Sequence, residues 1–138
     1  LGAVTPVGLD VASSWQAICD GKSGAASIES FNTDAFSTQF SCSVKDFSTE
    51  DYLAPKDSKR MDPFIQFGMV AGIQAIRDSG LEVTDANCER IGCAIGSGIG
   101  GIGSIERNNE LILNSGRSAG ALLKSHSSSK QVRTSIST

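Results

Sequence analysis

The segment that begins at Asp62-Pro63 and stops at Ser79-Gly80 limits the fold more than any other part of the chain. Asp before Pro supplies a cap and a first-turn residue that needs no amide donor, and Gly80 supplies a stop. Between them lie Phe64, Ile65, Phe67, Met69, Val70, Ile73, Ala75 and Ile76, which predict a long helix. These residues fall nearly all round the helix rather than on one stripe. A helix of that kind is expected to be buried on several sides by other layers of structure. Left uncovered beside unpaired strand edges, its apolar surface would favour aggregation.

Local signals place the other elements. Gly2 to Gly8 is a loop bounded by Gly and Pro, and Asp10 is a candidate N-cap. Val11 to Cys19 reads as a helix with Val11, Trp15, Ala17 and Ile18 as its apolar positions and Gly21 as its C-terminal glycine. Residues 22–57 are irregular apart from a candidate strand around Phe40 to Val44. Ile91 to Ile95 is a short apolar run ending in glycines, predicted to be a buried strand, and Ile102 to Leu113 is predicted to be a helix. Helix, strand, glycine turn and helix in this order form an α/β pattern.

The 138 residues amount to the length of one domain, and their formal charge of −3 is unevenly spread. Residues 1–116 hold eight basic and fifteen acidic side chains, whereas 117–138 hold four basic and no acidic ones. Nine of those last 22 residues are Ser or Thr. A patterned body over 1–116 is therefore expected, followed by a low-complexity, disordered tail over 117–138, either a basic interaction arm or a segment with no role. A mildly acidic chain does not advertise nucleic-acid binding. No apolar run reaches the roughly 18 residues of a membrane span. The chain starts at Leu1 without a basic-then-apolar leader, so export is not expected. Cys19, Cys42, Cys88 and Cys93 lack the clustering of a zinc site, and they read as ordinary residues of a reducing compartment. No metal and no cofactor are expected.

Three features are candidates for chemistry. Gly96-Ser97-Gly98-Ile99-Gly100-Gly101-Ile102-Gly103 satisfies the GxGxxG spacing of a dinucleotide loop between a strand and a helix. Its second half is missing, because no acidic residue follows Glu110 to hold a ribose. The glycines fit close packing, or approach of a substrate to bare backbone. Lys56, Lys59 and Arg60 interrupt an acidic body and share one face if this stretch is helical. They fit either docking of an acidic partner or a solvated helix start that Asp57 and Asp62 partly neutralise. His126, the single histidine, lies in the biased tail and reads as solvated rather than catalytic.

Four stretches together carry a resemblance: LGAVTPVG (Leu1–Gly8), SSWQAICDGKSG (Ser13–Gly24), KRMDPFIQFGMVAGIQAIRDSGL (Lys59–Leu81) and RIGCAIGSGIGGIGSIE (Arg90–Glu106). The body resembles the N-terminal part of a β-ketoacyl-acyl-carrier-protein synthase of the type II elongating class. That resemblance implies a partial thiolase-like α/β fold, an N-terminal fragment of a layered αβαβα architecture. It implies cytoplasmic fatty-acid elongation with acyl- and malonyl-carrier protein as partners, and a homodimer at full length. In such enzymes an acyl group moves to a cysteine, and the carbanion from malonyl-carrier decarboxylation attacks the thioester. By position, Ile99 matches the residue that gates the acyl pocket, and Lys56, Lys59 and Arg60 match the carrier-docking patch. The glycine segment is then no nucleotide loop.

The departures carry equal weight. The family's first strand precedes the Leu-Gly at which this chain starts, and its catalytic Cys and two His lie downstream of the sequence given. None of Cys19, Cys42, Cys88 and Cys93 matches the nucleophile, and His126 matches neither histidine motif. No catalytic residue is therefore assigned, and the chain alone is expected to be inactive. Resemblance stops at Asn114-Ser115-Gly116; the Ser-rich sequence that follows is expected to be an out-of-frame read of the family's next segment.

Overall fold

A computed structural model describes residues 1–115. The tail expected over 117–138, with His126, lies outside the described residues. One unit of the chain is Leu1–Gly100, and a second begins at Gly101. The first unit contains α1 (Val11–Cys19), β1 (Ala26–Ser27), β2 (Phe40–Ser41), α2 (Pro55–Ser58) and α3 (Pro63–Ser79), then a 3-10 turn at Cys88–Arg90. The second unit contributes α4 (Ile102–Ser115), two residues longer than the expected Ile102–Leu113.

The ends of α1 follow from its sequence. The Asp10 carboxylate accepts from the Ser13 amide at 2.7 Å, and the Asp10 amide donates back to the Ser13 hydroxyl at 3.3 Å, forming a capping box with serine in the usual Glu/Gln place. These donors, the Ser13 amide first, then the Ser13 hydroxyl and the Ala12 amide, hold the Asp10 pKa below its ordinary value. At the other end Gly21 takes φ 67°, and Lys22 and Gly21 donate to Ala17 O and Ile18 O. That is a Schellman stop built on the left-handed glycine.

The packing of α1 turns small residues inward. Ser14 and Ala17 are its buried residues, while Trp15 is 66% exposed and Ile18 59% exposed. The small face turns inward because the Thr5–Gly8 turn passes directly against it. The Ser14 hydroxyl lies 2.9 Å from Thr5 Oγ1 and donates to Gly8 O at 3.2 Å. A Cβ on Gly8 would sit 2.4 Å from the Ser14 amide nitrogen, so larger side chains have no room on that face.

The first unit is organised around α3. Pro63 opens it and Gly80 ends it at φ 64°, both as predicted, but Asp62 caps it through its carbonyl, which accepts from Ile65 and Gln66, and not through a side-chain hydrogen bond. Residues 1–9 run across one face, where Gly2 lies so close that a Cβ there would be 1.9 Å from Ala71 O. Gln74 clamps this segment: its Oε1 accepts from the Ala3 amide at 3.1 Å, and its Nε2 donates to Leu9 O at 2.7 Å and Tyr52 Oη at 3.3 Å. Phe47 meets Phe67 edge-on with centroids 4.7 Å apart, and Arg77 stacks 5.2 Å above the Tyr52 ring. These contacts surround α3 only in part. Val70 is buried at 1% exposure, but most other apolar residues of α3 are half-buried, and Ile65 is exposed.

The predicted strand at Ile91–Ile95 is overturned. The segment is irregular, and its residues are exposed. A strand is defined by a ladder partner, and among the described residues the one ladder is β1 with β2, antiparallel with Ala26 opposite Ser41 and Ser27 opposite Phe40. Ile95 instead lays its side chain over two glycines of α3; a Cβ on Gly68 or Gly72 would lie 3.3 or 3.6 Å from it. The Phe40 to Val44 strand contracts to Phe40–Ser41 for the same reason, since β1 offers two residues to pair with. The α/β expectation thus holds as helices with a small two-stranded sheet, and the layered sheet is not built by the described residues.

Candidate functional site

The cationic cluster sits on a short helical run between the irregular region and α3. Ala54 O accepts from Asp57 and Ser58, Pro55 O from Lys59, Asp57 O from Arg60, and Ser58 O from Met61. The turn therefore continues past Ser58, with Lys59 still in the right-handed helical region at φ −62° and ψ −17°. Lys56 stands three residues from Lys59 and four from Arg60, the spacing that places side chains on one helix face. All three are exposed. Among the described residues the side-chain ion pair is Lys22–Asp20 at 3.2 Å, so none of the three is paired with a carboxylate. Among the described residues Asp57 makes no ion pair with them.

A hollow of about 270 Å³ opens beside this turn. Phe47 and Leu53 are among its apolar lining residues, Thr49 and Ser58 among its polar ones, and Glu50 and Lys59 both line it. Lys59 is thus the one cation of the cluster at the hollow, while Lys56 and Arg60 stand outside it. The arrangement suits attraction of an acidic surface better than capture of a small anion. Glu50 opposes a free anion, and long exposed cations steer a macromolecule over a distance of about one Debye length.

Ile99 occupies a different segment. It is 72% exposed, inside the turn closed by the Gly100 amide donating to the Ser97 hydroxyl at 3.1 Å. Gly100 takes φ 83°, and a Cβ there would lie 3.6 Å from the Phe64 ring. Gly96 and Gly98 have open space where a side chain would go. Because no strand leads into these glycines, the dinucleotide fingerprint lacks the context that gives it meaning.

The four cysteines are free and exposed; Cys88 Sγ lies 3.6 Å from Asp85 O. Among the described residues no group of three potential ligands could hold a metal ion, and no helix is long and apolar enough to cross a membrane. Two residues that organise this region were not singled out from the sequence, Gln66 and Gln74. Both are polar residues within the apolar run of α3, eight positions apart.

The family model described as "Beta-ketoacyl synthase, N-terminal domain" matches residues 1–136, and the chain belongs to that family. Among its relatives is a Vibrio harveyi protein named 3-oxoacyl-[acyl-carrier-protein] synthase 2, 49% identical over 116 residues. Proteins of the same name from Vibrio cholerae and Coxiella burnetii are 51% and 45% identical over the same length. In each case the match covers 84% of this chain and 28% of the relative. The chain therefore spans under a third of the length of the curated relatives it matches.

Proposed function

We propose that this chain is the N-terminal part of a 3-oxoacyl-acyl-carrier-protein synthase of cytoplasmic fatty-acid elongation. In the whole enzyme, acyl-enzyme condenses with malonyl-carrier through decarboxylation. The observation that carries this reading is the near-half identity to relatives bearing that name over 116 residues. Lys56, Lys59 and Arg60 dock the acidic carrier protein; their exposure and lack of ion-pair partners among the described residues support the assignment. Ile99 gates the acyl path, and a second copy completes the full-length assembly. The 116 residues shared with those relatives carry the synthase character, and the family match itself runs on to residue 136.

The nucleophile and the histidines of the reaction have no counterpart among these residues, so the 138-residue chain alone catalyses no condensation. The test is to supply the purified chain with acyl- and malonyl-carrier protein, measuring both product and binding. The expected result is carrier binding that weakens as salt rises, without β-ketoacyl product. Product formation would overturn the inactivity. Binding insensitive to Lys56→Glu, Lys59→Glu and Arg60→Glu together would overturn the docking assignment.

A further inference from the structure

The helical turn that bears the three cations is too short to hold itself. Isolated helices below about 12 residues are marginal in water, and α2 spans four. Its persistence therefore depends on a tertiary anchor. Gln66, half-buried in the first turn of α3, supplies one. Its Nε2 donates to Ser58 O at 2.8 Å and to Met61 O at 3.0 Å. These carbonyls bracket Lys59 and Arg60, so one side-chain amide fixes the segment on both sides of the two cations. Ser58 O also accepts from the Met61 amide, which makes it the point where the local turn and the link to α3 meet.

We infer that Gln66 is a positioning residue for carrier docking: it holds the Lys56–Arg60 turn in its helical form against α3, and touches no partner itself. This rests on the docking reading above. The charges remain without Gln66, but the docking-competent arrangement is populated for a smaller fraction of the time. Apparent affinity falls by that fraction.

The test compares the chain, Gln66→Met and the Lys56→Glu/Lys59→Glu/Arg60→Glu variant, with a purified acyl carrier protein as probe. Gln66→Met keeps the side-chain length and removes the donor. Losing two partly buried hydrogen bonds is expected to weaken binding by roughly five- to tenfold. The salt dependence should stay as in the unaltered chain, since all three charges remain. Hydrogen exchange should speed up at the amides of residues 57–61 and stay unchanged in the middle of α3, a pattern that general destabilisation would not produce. Loss of binding in the charge-reversed variant, with unaltered affinity and exchange in Gln66→Met, overturns the role of Gln66 and leaves the docking reading standing. Exchange that rises uniformly along α3 also overturns it. Full binding by the charge-reversed variant overturns the docking reading itself, and the inference falls with it.

Discussion

Gln74 offers the sharpest test of how α3 organises the first unit. One side chain joins two parts of the chain to the helix, the N-terminal segment through Ala3 and Leu9 and the irregular region through Tyr52. Gln74→Met preserves length and removes all three hydrogen bonds. A typical intramolecular hydrogen bond contributes about 1 kcal/mol net, and a half-buried setting lets water replace part of that. The Tyr52 contact is the longest at 3.3 Å and contributes least. The expected cost is about 2 kcal/mol, most of it from the Ala3 amide and Leu9 carbonyl left without this partner. With a urea slope of about 1–3 kcal/mol/M for a small protein, the unfolding midpoint should fall by roughly 1 M at unchanged slope. Far-UV circular dichroism reads the midpoint, and hydrogen exchange at the Ala3 amide reads the clamp directly. Tyr52→Phe on its own should cost about 1 kcal/mol or less, and the double variant should be less than additive. A midpoint shift below about 0.3 M, or an Ala3 amide that exchanges no faster, would refute the view that Gln74 clamps the N-terminal segment.

Other substitutions probe the same physics at single positions. Gly2→Ala and Gly72→Ala should have opposite signs. A Cβ on Gly2 meets the Ala71 carbonyl oxygen at 1.9 Å and must push the segment off α3, costing about 1–3 kcal/mol. A Cβ on Gly72 meets Ile95 at an ordinary 3.6 Å, so the helix propensity of alanine should stabilise by up to about 1 kcal/mol. Thermal unfolding of both variants checks the contrast. Asp10→Ala should cost about 1 kcal/mol at neutral pH through loss of the N-cap, and Asp10→Asn much less. Because the folded-state pKa of Asp10 is lowered, its carboxylate contribution is present above the unfolded carboxylate range. It is lost as pH falls through the lowered value, so a pH series of unfolding midpoints should show the Asp10→Ala deficit closing in acid. Gly80→Ala should cost about 1 kcal/mol through backbone strain at φ 64°, since no atom lies within 4 Å of the new methyl, and Gly80→Asn should recover part of it.

The helices were legible because their boundaries are set by neighbours in sequence. Asp10 with Ser13, Gly21, Pro63 and Gly80 each act within one turn of the element they start or stop, and α1 and α3 begin and end where these residues predict. Burial was less legible, because it depends on what passes over a face. Of the apolar positions of α1 only the smallest, Ala17, is buried, beside Ser14, whose hydroxyl the Thr5–Gly8 turn engages by hydrogen bonding. The run at Ile91–Ile95 forms no strand for a related reason. An apolar run describes a segment that prefers burial, and only a neighbouring ladder makes it a strand. Here the run finds Gly68 and Gly72 instead of a second strand.

The candidate site shows the same division between charge and support. Lys56, Lys59 and Arg60 stand out from an acidic body by composition alone, and their common helical face follows from spacing once the turn is helical. What makes the turn helical is not in that pattern. Gln66 resembles any polar residue near a helix start, where a solvent-facing glutamine is ordinary. Its role emerges only when α3 and the preceding turn are brought together, with one Nε2 reaching two carbonyls three residues apart. A charge-reversal scan would rank the three cations and overlook Gln66, since the latter changes no charge. A scan read by both affinity and local exchange separates loss of charge from loss of support for the turn.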